Sequence, residues 1–168
     1  MANEMKISKS ELPIIFDSSN LEKEIELWVK DSNLSELIAW LAAVLMPSEL
    51  TESAILLRDI QTYLESPSSN LRWNIFKKSE EVGFSTTPGL LGLALFLLKG
   101  SMSPDEYEPV YPPDGVVEQI IGCILMLLTV SKSQAPSNEA EKLYIAWCNY
   151  KLQTTIGKND GTTSCTCN

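Results

Sequence analysis

Thr87-Pro88-Gly89-Leu90-Leu91-Gly92-Leu93-Ala94-Leu95-Phe96-Leu97-Leu98-Lys99-Gly100 is the stretch on which the fold turns. Proline at the first helical position loses no hydrogen bond, because the leading amides of a helix have no partner within it, and Gly100 after Lys99 supplies an end. Between these signals residues 90–98 are apolar on every side, the pattern of a helix surrounded by other elements rather than laid on a surface. Gly89 and Gly92 leave room for a neighbour to come close. The stretch predicts a central buried helix, and a central helix requires a shell.

Helical spacing supplies that shell on both sides. Downstream, a helix beginning near Asp114 or Gly115 carries Val117, Ile120, Ile121, Ile124, Leu125, Leu127 and Leu128, with Gly122 and Cys123 as small residues between them. After Pro136 a last helix starts at Ser137 or Asn138, presents Leu143, Trp147 and Tyr150 on one face, and ends at Gly157. Upstream, Ser19 with Glu22 and Asn33 with Glu36 stand three apart, the spacing at which a cap side chain and a carboxylate satisfy each other's end amides. They open helices ahead of Leu21, Ile25 and Trp28, and ahead of Leu37, Trp40 and Leu41, the second stopped by Pro47. Ser48 opens a third helix through Leu56, Ile60 and Tyr63. Ser68 and Ser69 lead into a fourth through Leu71, Trp73, Ile75 and Phe76, ended by Gly83, with Lys77, Lys78, Glu80 and Glu81 as its wet face. No strand-like alternation of useful length occurs. The expected fold class is all-α: a single compact bundle of six to seven short helices with one long proline-rich loop. The expected division is a flexible arm at 1–18, a helical domain at 19–157 and a disordered tail at 158–168, with residues 12–16 as a short extended apolar segment within the arm.

Composition bounds the function. In 168 residues there are 13 Lys+Arg against 22 Asp+Glu, for a formal charge of -9, and no histidine. A chain of this size buries roughly two thirds of its unfolded surface, so a self-sufficient core is expected without a metal or disulfides. Lack of histidine removes the Ser-His-Asp and Cys-His arrangements and mixed Cys/His zinc sites. The acidic balance disfavours nucleic acid and anionic lipid as partners. No apolar run reaches the roughly 20 residues of a membrane span, and no signal-like start precedes Phe16, so a cytoplasmic protein without stable membrane insertion is expected. Among the cysteines, Cys123 and Cys148 fall in apolar helical patterns and read as core; Cys165 and Cys167 fall in the tail. Cys148 has no histidine to activate it. The Cys165-Thr166-Cys167-Asn168 ending places a cysteine fourth from the end, the position used for prenylation. The carboxylates show no pairing that sets two apart for acid/base work, and no glycine-rich phosphate loop is present. Catalytic, cofactor and metal residues are therefore none, and the expected protein is not an enzyme.

Residues 101–114 stand out. Four of the nine prolines lie here within ten residues, and they hold the backbone extended before any contact is made. Tyr107, Pro109, Tyr111, Pro112 and Pro113 are the candidate partner-binding residues, with the tyrosines as amphipathic anchors. The alternative is a connector that packs its tyrosines back onto the bundle.

The run of residues 90–98, the turn Lys99-Gly100-Ser101-Met102-Ser103-Pro104, the loop Pro109-Val110-Tyr111-Pro112-Pro113 and the small-residue helix through Gly122 together resemble a family of small, functionally uncharacterised bacterial all-helical proteins associated with type VI secretion gene clusters. The resemblance covers residues 34–157. Acidic residues and two tyrosines in the loop, and the cysteine-containing end, depart from the family pattern. It implies no catalytic residue. What it implies is a cytosolic adaptor or chaperone-like accessory of a bacterial secretion system, whose partner is a protein of that apparatus. Two other functions stay open at this stage: a secreted effector lipidated at its C-terminal cysteine in a target cell, and an enzyme resting on carboxylates alone. The sequence leaves the oligomeric state undetermined.

Overall fold

A computed structural model describes residues 14–48, 51–132 and 134–159. Among the described residues there are seven α-helices and no strand: α1 (Leu21–Lys30), α2 (Leu34–Leu45), α3 (Thr51–Glu65), α4 (Ser69–Val82), α5 (Thr87–Leu98), α6 (Val116–Lys132) and α7 (Pro136–Asn159). A 3-10 turn at Met46–Ser48 carries the chain past Pro47. The all-α bundle read from the sequence is the observed fold.

Helix α5 is its axis. No residue from 90 to 98 is exposed, and α2, α3, α4 and α6 all pack on it. Helix α1 lies against α6, and α7 covers α6 and part of α2. The glycines of α5 work as the sequence suggests. A Cβ on Gly92 would sit 1.9 Å from Ser79 Oγ of α4, and one on Gly89 would sit 2.1 Å from the carbonyl oxygen of Gly83. Gly83 itself has φ +100°, a conformation open to glycine and strained for other residues. Its carbonyl accepts hydrogen bonds from the Thr86 amide and hydroxyl, and Thr86 Oγ1 accepts in turn from the Gly89 amide. The cap of α5 is thus Thr86, one residue ahead of the expected start, and Pro88 stands at the second helical position.

Two aromatic clusters form, one inside the core and one at its edge. Phe16, Trp28, Trp40, Tyr144 and Trp147 form one, with Trp28 and Tyr144 5.1 Å apart and edge to face. Trp73, Phe76 and Phe96 form the other, at the α4–α5 contact. Lys78 of α4 pairs with Asp59 of α3.

Several local expectations change. The Ser19–Glu22 box does not form: Asn20 is the cap position and makes no side-chain bond, whereas Asp17 takes the Ser19 amide and hydroxyl and donates its own amide to Glu24 Oε2 at 2.8 Å. These two bonds from Ser19 hold the Asp17 carboxyl below its usual value, the hydroxyl having the larger influence. By contrast Asn33 caps as expected, accepting from the Glu36 amide, and Ser68 caps α4 by accepting from the Leu71 amide. The described part of the extended apolar segment packs on the body through Phe16, buried between Trp28 and Tyr144, while Ile15 is 81% exposed. Helix α7 starts at Pro136 and runs through Gly157 to Asn159. Phe16, ahead of α1, thus belongs to the core, and α7 is helical two residues past Gly157. Ser48, the expected opening of the third helix, ends the 3-10 turn instead, and α3 is described from Thr51; residues 49–50, most of the expected tail, and Cys165 and Cys167 lie outside the described residues.

Candidate functional site

The loop between α5 and α6 begins at a buried arginine. Arg72 falls on the inward face of α4, one turn before Ile75 and two before Ser79, and is 6% exposed. Its Nη1 donates to the Phe96 carbonyl at 2.9 Å and its Nη2 to the Ser101 carbonyl at 2.8 Å. The first acceptor belongs to the last turn of α5, where carbonyls lack helical partners and the dipole favours a cation. The guanidinium also lies 4.4 Å from the Phe96 ring centre and 5.4 Å from that of Trp73. Ring quadrupoles and carbonyl dipoles stand in for an anion, and among the described residues no carboxylate pairs with it. Gly100 makes this possible, because a Cβ there would press to 3.1 Å from Arg72 Cζ.

From that anchor the loop closes on itself. Met102 donates its amide to the Val110 carbonyl at 2.7 Å, and Ser101 Oγ accepts from the amides of Val110 and Ser103. Ser103 Oγ donates to the Glu108 carbonyl, and the Tyr107 amide donates to the Pro104 carbonyl. With the prolines, these bonds give a preformed arch whose backbone needs little further ordering to meet a surface. The expected packing of its tyrosines onto the bundle does not occur: Tyr107 is 67% and Tyr111 65% exposed, with Val110 also exposed between them in sequence. Pro109 and Pro113 are exposed and Pro112 is half-buried. All other aromatic residues of the chain are either buried or in ring contact with one another. Asp105, Glu106, Glu108 and Asp114 flank these residues in sequence, and no lysine or arginine occurs between Lys99 and Lys132.

A second concave feature, a groove of about 810 Å³, lies between α1 and α6. Ile25, Met126 and Leu127 give it an apolar lining, while the exposed Glu22, Glu26 and Glu118 line it with one cation, Lys30. Cys123 opens onto this groove and is exposed, which corrects its expected place in the core. The helical pattern placed it beside Ile124, but its own angular position on α6 points outward. Cys148 is partly buried; burial pushes its thiol up, against the lowering effect of the Tyr144 hydrogen bond and of Lys151. Among the described residues no cluster of three or more acidic or sulfur ligands is placed to hold a metal, and no helix is long and apolar enough to cross a membrane.

Arg72 is the residue that sequence reasoning passed over. Its signal was a cation at the i, i+3, i+7 positions shared with Ile75 and Ser79.

Residues 33–148 match the family described as "Family of unknown function (DUF6931)". The match takes in more than half of the chain and includes the whole α5–α6 loop, so the chain belongs to that family. No curated protein and no solved structure matches it.

Proposed function

We propose that this chain is a non-enzymatic protein-interaction module that presents the α5–α6 arch to a basic protein surface. The single observation that carries this reading is the exposure of Tyr107 and Tyr111 on a backbone held by its own hydrogen bonds and by Arg72. Amphipathic tyrosines on a preordered segment bind at low entropic cost. Four carboxylates with no cation among them in this segment, Asp105, Glu106, Glu108 and Asp114, select a partner rich in lysine and arginine and steer its approach. Exposure of the groove carboxylates favours binding over a carboxylate-only reaction, since acid/base work relies on burial or close neighbours to tune a carboxyl. The sequence resemblance supports a secretion-system component as the partner. Free thiols at Cys123 and Cys148 are in keeping with a cytoplasmic setting.

Affinity purification from the native host, comparing the wild-type chain with a Tyr107→Ala/Tyr111→Ala variant, tests the reading. A basic protein retained by the first and lost with the second, at unchanged helical content, is the expected result. Identical captured sets would overturn it.

A further inference from the structure

We infer that the groove between α1 and α6 is a docking site for a basic amphipathic helix of another protein, which makes its closest approach at Gly122. The argument starts from the glycines. Gly89, Gly92 and Gly100 each have a neighbour that a Cβ would strike, and Gly83 and Gly115 have positive φ. Gly122 and Gly157 have neither reason, and of the two it is Gly122 that lines this groove. It sits inside α6, where glycine is a poor helix former, yet a Cβ there would meet only Ile25 Cγ2 at 4.0 Å, an ordinary contact. Nothing within the fold requires this residue. It lines the groove, and a missing side chain in a helix wall lets a second backbone come near.

Charge says what kind of backbone. Three exposed carboxylates, Glu22, Glu26 and Glu118, flank the apolar lining against one lysine, and among the described residues none of the three is engaged in an ion pair or hydrogen bond. An apolar stripe bordered by lysine or arginine fits such a site. A second copy of the same groove would bring like charges together. The inference is independent of the loop, since Gly122 and Glu26 lie outside the arch.

The probe is a fluorescent 14-residue Lys/Leu peptide of helical periodicity, with a Glu/Leu peptide as its charge control. Wild-type protein should bind the first at least tenfold more tightly than the second. Bound peptide should slow alkylation of Cys123 severalfold, read by mass spectrometry on the segment that carries it. Gly122→Ala should raise Tm by about 2 °C, because alanine is the better helix former, and should weaken the peptide about threefold. Gly122→Leu should abolish binding. If Gly122→Leu does not fold, Glu26→Lys together with the Cys123 footprint gives the same decision, with binding expected to fall at least fivefold. Peptide affinity indifferent to these substitutions, an unprotected Cys123, or a lower Tm for Gly122→Ala would overturn the inference. So would concentration-dependent dimerisation that Gly122→Leu abolishes, since that would assign the groove to a second copy.

Discussion

The Ser79 hydroxyl of α4 occupies the space that a side chain at Gly92 of α5 would need, with Oγ only 1.9 Å from where a Cβ would stand. The two helices are in backbone-scale contact there. Ser79 turns its hydroxyl onto its own helix, donating to the Ile75 carbonyl at 2.7 Å, and so presents a small, satisfied surface to its neighbour.

Gly92→Ala should therefore destabilise the protein by about 1–3 kcal/mol, the usual cost of overfilling a tight core. Ser79→Ala alone removes a hydroxyl whose acceptor is already in the helix ladder, and its cost should stay near 1 kcal/mol or below (~1). Combined, the two changes should cost about 1 kcal/mol less than their sum, because one removes the obstacle met by the other. Urea unfolding of the four proteins measures this coupling. Strict additivity would mean that the helices have room to separate.

Arg72→Met keeps much of the volume but loses both charged hydrogen bonds, and should cost about 2–4 kcal/mol. Arg72→Lys should recover only part, since an ammonium cannot fork to the Phe96 and Ser101 carbonyls in one plane. Amide exchange at Met102 and Val110, whose N–H groups hold the arch, should accelerate in Arg72→Met. Unchanged exchange would show that the arch closes without its anchor.

Tyr107→Ala and Tyr111→Ala should each leave stability within about 0.5 kcal/mol, because neither ring is covered by the fold. Phe16→Ala, from a segment of similar appearance in the sequence, should cost about 3 kcal/mol, since its ring is buried against Trp28 and Tyr144. Thermal unfolding of the three variants distinguishes an aromatic that holds the body together from one that does not.

Burial pushes the Tyr144 hydroxyl up to about 12 from its ordinary 10.0, with the neighbouring Cys148 adding to it. The unfolded chain ionises first. Stability from the neutral phenol is thus complete below pH 10 and is lost as pH climbs through about 12, by about 2 kcal/mol at most given its partial contact with solvent. Chemical denaturation across pH 9–12 should show this decline and a shallower one in Tyr144→Phe. Cys148, also raised by burial, contributes a loss of the same sign that this variant retains.

Fold class was legible because residues 90–98 have no polar side, and the cap at Asn33 is local enough to read from spacing alone. The cap at α1 was not. Asp17 and Glu24 are seven residues apart, and they meet only after the chain turns at residues 18–20. Arg72 escaped for a similar reason: its acceptors are 24 and 29 residues away, so its neighbours in sequence give no hint of what satisfies it. Cys123 was misplaced because small residues between apolar ones fit a helix core and a helix wall equally well. The tyrosines of the arch were readable as candidates from their prolines; whether they faced inward depended on hydrogen bonds between serine hydroxyls and distant amides.

The exposed carboxylates of the arch are screened by dissolved ions, whereas a buried guanidinium hydrogen-bonded to carbonyls is screened far less. The bolt at Arg72 and the coat of the arch thus answer to different variables. Added salt mutes the attraction toward a cationic surface without unfastening the scaffold that displays Tyr107 and Tyr111.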